Sequence, residues 1–254
     1  MKISIITVTH NAESTIECCI KSVIDQNYRE LEYILIDGLS NDGTSSIIKN
    51  YKSFVSSFIS ENDQGIYDAM NKGIRLAKGE IVGFLNSDDF YTNKNVLSSV
   101  AKIFTENPSI EACFSDLLYV SKNNSSKIIR FWKSSPFKKG LFAKGWCPPH
   151  TTFFVRRSVY EKYGGFDLDY KISADFELML RFLEVYNIKS KYVPKTWVTM
   201  RMGGTTNKSL KNIWKQNKEV VQALSRNKLS YNIISFFLNK IIFRGIQFFQ
   251  RTIN

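Results

Sequence analysis

The chain alternates unbroken apolar runs with stretches in which apolar residues return every three or four positions. ISIITVT at 3–9 and YILID at 33–37 are continuous, as strands buried on both faces require. IVGFL at 81–85 and a shorter run at 58–60 read the same way, and a further strand is predicted near 111–120. Between them, Ile16, Ile20, Val23 and Ile24 share one helical face over 13–25. A second helix, Thr44 to Tyr51, begins at a capping residue, Asp42 or Thr44. Ile66, Ala69, Met70, Ile74 and Ala77 mark a third that closes at Gly79, and a fourth spans Asn95 to Thr105. Periodicity is weak over 121–147. It returns in TTFFVRRSVYEKYGGFD, a strand, a short helix and a turn, and in ADFELMLRFLEVY, a helix with Phe176, Leu180, Leu183 and Val185 inward. The last forty or so residues carry no strand signal and read as helix.

Strands and helices alternating at this spacing predict an α/β fold, a mostly parallel sheet with helices on both faces. Ligands of such sheets sit beyond the carboxyl ends of the strands. Asp37, Asp63 and the pair Asp88 and Asp89 all stand at or near such ends.

The 254 residues suffice for one large domain, and the 43% apolar content is that of a soluble protein. The N-terminal MKISIITVTHN lacks the features of a secretory signal. The apolar run LSYNIISFFLN before Lys240 falls well short of the about 20 residues that span a bilayer. A cytoplasmic protein is expected. Cys18, Cys19, Cys113 and Cys147 form no C-x-x-C pair, and with only two histidines no zinc site is indicated, so the cysteines are expected to be reduced and mostly buried. The net charge of +12 is unevenly distributed. Nine basic residues and no acid lie between Leu117 and Tyr160, and nine more face only Glu219 from Asn207 onward. The N-terminal part holds most of the acids. This asymmetry predicts an acidic site on one part and an anionic partner for the other.

FLNSDDF at 84–90 places two carboxylates side by side after a buried strand. Like charges ~4 Å apart repel by roughly 4 kcal/mol at an effective dielectric of ~20. A solvated turn relieves that, and so does a cation. A divalent ion such as Mg2+, which takes one or two carboxylates and completes its shell with phosphate oxygens, suits acids converging on one rim.

The ordered set SIITVTHN, ILIDGLSNDGT, ENDQGIYDAMNKGIRLAKGEIVGFLNSDD, PPHTTFFVRRSVYEKYGGFD and ADFELMLR resembles family 2 glycosyltransferases, inverting enzymes of the Rossmann-like GT-A fold, and among them bacterial transferases of surface-polysaccharide biosynthesis. The resemblance runs from the N-terminus to about residue 205 and implies a GT-A domain over 1–206 with a helical extension over 207–254. It implies that Asp37 contacts the base or ribose of a nucleotide, that Thr9 lies in the loop around the base, and that Asp63 lies near the nucleotide. A turn role is the alternative for Asp37, a strand-end role for Thr9, and an N-cap for the helix at Ile66 for Asp63. Asp88 and Asp89 resemble the family's D-x-D motif, with Asn86 where an acid often stands. Asp89 is then the direct ligand of Mn2+ or Mg2+, and Asp88 a ribose contact or second carboxylate of the metal site. Asp175 matches the family's general base, although Ala174 replaces the Glu before it; a helix N-terminal acid is the plain alternative. His150 corresponds to a residue near donor or acceptor. Arg201, in MRMGGTT at 200–206, would bring charge to a loop over the diphosphate.

The implied activity is transfer of a sugar from a nucleotide-diphosphate sugar, a UDP-sugar first among them, to a glycan or polyprenyl-linked acceptor. Lys240, Arg244, Gln247 and Arg251 fall on one helical face, with Ile241, Ile242, Ile246 and Phe249 facing elsewhere. Contact of 229–251 with the inner face of the membrane is one reading of that helix, and packing on protein is the other. Two rival functions remain. A metal-dependent nucleotidyltransferase would want a Gly-rich phosphate loop after the first strand, which HNAEST does not provide. A nucleic-acid-binding protein suits the net charge, but acids sit where its cleft should be and no compact recognition motif occurs.

Overall fold

The structure is a computed structural model that describes residues 1–203 and 209–249. The predicted buried runs form four parallel strands in the order β3-β2-β1-β4: β1 (Ile3–Thr9), β2 (Leu31–Asp37), β3 (Ser57–Ser60) and β4 (Ile81–Phe84). Their carboxyl ends align, because Thr9 pairs with Asp37 and Asp37 with Ser60. Beyond β4 the sheet changes character. It continues through β8 (Phe154–Arg156), antiparallel to β4, to β6 (Ala112–Ser121), β9 (Ser190–Arg201) and the two-residue β5 (Phe90–Tyr91), while β7 (Asn124–Trp132) pairs with β6 as an antiparallel ribbon. β5, β7 and β9 went unread in the sequence.

Each central strand sends alternate side chains to opposite cores. Ile6 and Val8 of β1, with Ile34 and Ile36 of β2, join one core; Ile3 and Ile5, with Tyr33 and Leu35, join the other. The second core is covered by α1 (Ile16–Ile24), α2 (Thr44–Asn50) and α4 (Val96–Glu106). The first is covered by α3 (Ile66–Leu76), α5 (Arg157–Tyr163) and α6 (Ala174–Leu180), which passes into a π turn at Arg181–Val185. Two inward assignments change. In α3 the inward place belongs to Tyr67, and Ile66 is exposed; Val185 is also exposed, because the π turn rotates it off the face that Leu180 and Leu183 share.

α7 (Leu210–Arg226) and α8 (Ile233–Phe249) complete the chain. Val220, Ala223, Leu224 and Phe236 join the same core as Ile6 and Val8, so these helices share the hydrophobic interior of the sheet. Glu219 ties α7 to the loop before α6. Its buried carboxylate accepts hydrogen bonds from the backbone N–H groups of Lys171 (3.1 Å), Ile172 (2.8 Å) and Ser173 (2.9 Å). Arg251 and the 204–206 part of the predicted glycine loop lie outside the described residues.

Gly83 of β4 is required by a close approach. A Cβ there would stand 2.4 Å from the Phe154 ring, which is itself fully buried against Trp197. Gly83→Ala should therefore cost about 1–3 kcal/mol in urea unfolding through overpacking. Glu219→Ala strands buried N–H donors and should cost about 1–3 kcal/mol in the same assay.

Candidate functional site

A cleft of about 1070 Å³ opens beyond the carboxyl ends of β1 and β4 and extends under β6, β7 and α8. Thr9, Asp63, Asp88, Asp89, His150, Asp175 and Arg201 all line it. Of the candidate residues only Asp37 does not. Its carboxylate receives the hydroxyls of Ser40 (2.5 Å), Ser45 (3.0 Å) and Ser60 (2.6 Å) and the backbone N–H of Ser40. Burial acts to raise its pKa, but these bonds outweigh it and hold the group below the usual carboxylate range. Asp37 is thus a buried knot that shapes the loop after β2, with both carboxylate oxygens engaged by that loop and by Ser60.

Asp63 does not cap α3 either. Gly65 stands at the N-cap, and Asp68 accepts from the Gln64 N–H at 3.1 Å. Asp63 pairs instead with Lys72 at 2.5 Å, which also reaches Glu61 at 2.7 Å. Thr9 is buried, and its hydroxyl has no hydrogen-bond partner.

The chain leaves β4 through Asn86, and the turn closes when the Asp89 N–H donates to the Asn86 carbonyl at 3.0 Å. This turn carries Asp89 inward until it is fully buried, while Asp88 stays half-exposed. One Asp89 oxygen, Oδ2, accepts from Asn86 Nδ2 at 3.3 Å; the other, Oδ1, is buried without a hydrogen-bond partner. Burial first, and the adjacent charge of Asp88 second, push the Asp89 pKa well above the carboxylate range. Arg201 comes across from the end of β9. Its Nη1 donates to the Asp88 carbonyl at 2.6 Å, and its guanidinium lies 4.8 Å from the Phe90 ring centre.

Asn86 also faces the other half of the site. Its Nδ2 lies 3.3 Å from His150 Nε2, and His150 Nδ1 lies 3.4 Å from Asp175 Oδ2. A neutral imidazole with its proton on Nδ1 satisfies both contacts. Asp175 sits in the first turn of α6, and Tyr67 Oη lies 3.0 Å from its Oδ1. Burial, reinforced by the Asp175 charge, raises the Tyr67 pKa well above its ordinary value and keeps the phenol protonated. Tyr67, Asp175, His150, Asn86 and Asp89 thus form one polar line across the cleft. Tyr67 went unrecognised because the periodicity gave the inward place to its neighbour Ile66.

No group of three metal-ligating side chains occurs among the described residues. The unpartnered Asp89 oxygen beside Asp88 nevertheless fits a hard divalent cation. Such an ion would draw its remaining ligands from phosphate oxygens and water. It would also remove the electrostatic cost of two adjacent carboxylates, one of them buried.

The chain is similar in sequence and fold to known proteins. The sequence profile described as "Glycosyl transferase family 2" matches residues 4–164. A PGL/p-HBAD biosynthesis glycosyltransferase of Mycobacterium bovis is 28% identical over 193 residues, 75% of this chain and 73% of its own length. An uncharacterized glycosyltransferase of Mycobacterium tuberculosis is 32% identical over 181 residues, covering 70% of this chain and 68% of its own. TuaG of Bacillus subtilis, a putative teichuronic acid biosynthesis glycosyltransferase, is 37% identical over 90 residues, 34% of this chain and 36% of its own. Among solved structures, residues 1–349 of TarS from S. aureus superpose with a TM-score of 0.69 at 19% identity, over 100% of this chain and 76% of that one; the chain spans 41% of a longer TarS chain. A mannosyltransferase of Pyrobaculum calidifontis, solved with GDP-Man and Mn2+, superposes with a TM-score of 0.67 at 19% identity over 97% of this chain and 69% of its own. The fold is GT-A, and with the family profile covering more than half of its length, the chain belongs to glycosyl transferase family 2.

Proposed function

We propose that the protein transfers a sugar from a nucleotide-diphosphate donor to a hydroxyl of a glycan or lipid-linked acceptor, with inversion at the anomeric carbon. The observation that carries this reading is the pairing, in one cleft, of a partly exposed carboxylate held for proton transfer with a carboxylate pair suited to a metal and a diphosphate. Asp175 is 26% exposed at its side chain, so an acceptor hydroxyl can reach it. Its two oxygens are flanked by His150 and by the Tyr67 hydroxyl, which lies 3.0 Å from Oδ1 and 2.8 Å from the Ile172 carbonyl.

Inversion needs a single displacement. Asp175 takes the proton from the acceptor hydroxyl as that oxygen bonds to the anomeric carbon, and the bond from this carbon to the diphosphate oxygen breaks on the opposite face. Asp89, with Asp88, would hold Mn2+ or Mg2+, and the ion supplies positive charge against the departing diphosphate. Arg201 adds a fixed cation on the same side. The Thr9 hydroxyl is available to the nucleoside beside Asp63. Structures of TarS with UDP-GlcNAc and of the P. calidifontis enzyme with GDP-Man favour a nucleotide-sugar donor, and the former favours UDP. The relatives named for PGL/p-HBAD and teichuronic acid biosynthesis favour a cell-surface glycan or glycolipid as product.

No helix among the described residues is long and apolar enough to cross a membrane. α8 does leave Ile234, Leu238, Ile241 and Ile242 exposed, Ile234 by 77%. That apolar face supports peripheral contact of the helix with a bilayer near a lipid-linked acceptor. Lys240, Arg244 and Gln247 line the cleft, whereas Ile234, Leu238, Ile241 and Ile242 lie off it.

Two substitutions test the assignment. Asp89→Ala should weaken Mn2+-dependent UDP binding by at least about tenfold in calorimetry. Asp175→Asn should bind UDP like the parent yet release UDP from a UDP-sugar about 10²–10⁴-fold more slowly in the presence of acceptor. Release of pyrophosphate in place of a nucleoside diphosphate would overturn sugar transfer in favour of nucleotidyl transfer.

A further inference from the structure

Arg130 is the one fully buried residue of β7, a strand otherwise half-buried or exposed. Its guanidinium lies 3.9 Å from the centre of the Tyr119 ring, with the rings of Trp132 at 5.7 Å and Phe248 at 5.8 Å. Only 5% of the residue is exposed, and its Nε is buried with no hydrogen-bond partner. Aromatic faces offset part of the cost of a buried cation, but the stranded N–H still lacks an acceptor. No carboxylate among the described residues lies within ion-pair distance of it. Lys240 of α8 is similarly placed: its ammonium donates to the Asn217 amide oxygen at 2.8 Å and meets no described carboxylate at ion-pair distance. Arg244, one turn further along α8, lines the same wall. Burial, and then the charge of Arg244, lowers the pKa of both Arg130 and Lys240.

The sheet register locates this wall. Arg130 pairs with Tyr119, Tyr119 with Met200, and the neighbouring Thr199 with Phe90, the residue after Asp89. Three strand spacings, ~14 Å, therefore separate the Arg130 backbone from the acidic turn. A Cβ on Gly145 would stand 3.3 Å from the Lys240 Cβ, and five residues further along the same segment His150 faces Asp175, which puts Lys240 on the same side of the cleft as the base. The acceptor must bring its hydroxyl to that side.

We propose that Arg130, Lys240 and Arg244 form a phosphate subsite for the acceptor, separate from the donor diphosphate. The proposal rests on the glycosyl-transfer reading of the cleft and adds that the acceptor is phosphorylated. Its phosphate belongs either to a lipid carrier or to a phosphodiester within the glycan. Both would give the stranded Arg130 donor an oxygen, and Arg130 and Lys240 a counter-charge.

The test is a calorimetric titration of Mn2+-loaded, UDP-saturated protein with two probes, geranyl phosphate and glycerol 3-phosphate. Phosphate should bind with UDP in place, and Arg130→Met and Lys240→Met should each weaken it by about tenfold or more while UDP affinity stays within about twofold. Tighter binding of geranyl phosphate than of glycerol 3-phosphate assigns the phosphate to a lipid carrier; equal binding assigns it to the glycan. Displacement of either probe by UDP, or loss of UDP affinity in the Met variants, would overturn the proposal and return the cations to the donor. Unchanged phosphate binding in both variants would overturn it as well. If Arg130→Met does not fold, Lys240→Met, on a half-buried helix position, gives the reading alone. Failure of the parent protein to bind any nucleotide diphosphate would count against the transferase reading, whereas the phosphate titration without nucleotide still reports on the subsite.

Discussion

The site depends on one carboxylate being kept from water with an oxygen to spare. Asp89 is fully buried, its Oδ2 takes the Asn86 amide, and its Oδ1 has no partner. Such a group is costly in isolation and becomes favourable when a cation arrives, so the fold stores a demand for positive charge at one point. Without the ion, burial and Asp88 favour the protonated acid. A cation bound at Asp89 would compete with that proton for the same oxygen, and its binding would release the proton. The position follows from β4: a strand enclosed between β1 and β8 delivers its following turn directly into the cleft, and the register holds only because Gly83 leaves room for Phe154.

From this point the remaining residues take their places. Asn86 stands where a charged residue would add a third acid beside Asp88 and Asp89. As an amide it satisfies Asp89 and still faces His150. The imidazole faces Asp175, whose other oxygen lies 3.0 Å from the Tyr67 hydroxyl. The loop leading to α6, which starts the helix carrying Asp175, is gripped by Glu219 from α7. Thus α7, beyond the family profile's 4–164, holds the loop that starts the helix carrying Asp175. A role for Glu219 had a sequence signal only in hindsight, as a single acid in a basic segment whose position matches an inward helical face.

What could be read from the sequence follows from how each element is buried. β1, β2 and β4 are covered on both sides, so their runs are continuous, and their ends mark the acids. β7 is a ribbon edge that begins NSSK, and β9 contains Pro194 and two register shifts against β6; neither shows a clean period of two. Asp37 was located at the right strand end, but the serines at 40, 45 and 60 that occupy it are scattered in sequence and meet only in the fold. In α8 the spacing of Lys240, Arg244 and Gln247 gave a shared face correctly. Periodicity states which residues share a face and says nothing of what that face meets. Here it meets a cleft, and Phe236 anchors the helix against the core from the same side.

The uneven charge of the chain then has a structural meaning. Acids from the parallel half of the sheet and cations from β7 and α8 are opposite walls of one cleft, not properties of two separate surfaces. The opposed walls do not neutralise each other, since no carboxylate among the described residues approaches Arg130 or Lys240 within ion-pair distance. A cleft lined by both signs without pairing Arg130 or Lys240 to a carboxylate favours a ligand set with its own separation of charge. A divalent cation held by Asp88 and Asp89 would satisfy the acidic wall, and an anion on the second substrate would satisfy the basic one. The site is electrostatically complete only when both substrates are present. That condition favours the assembly in which transfer can occur over either binary complex, without requiring any moving part.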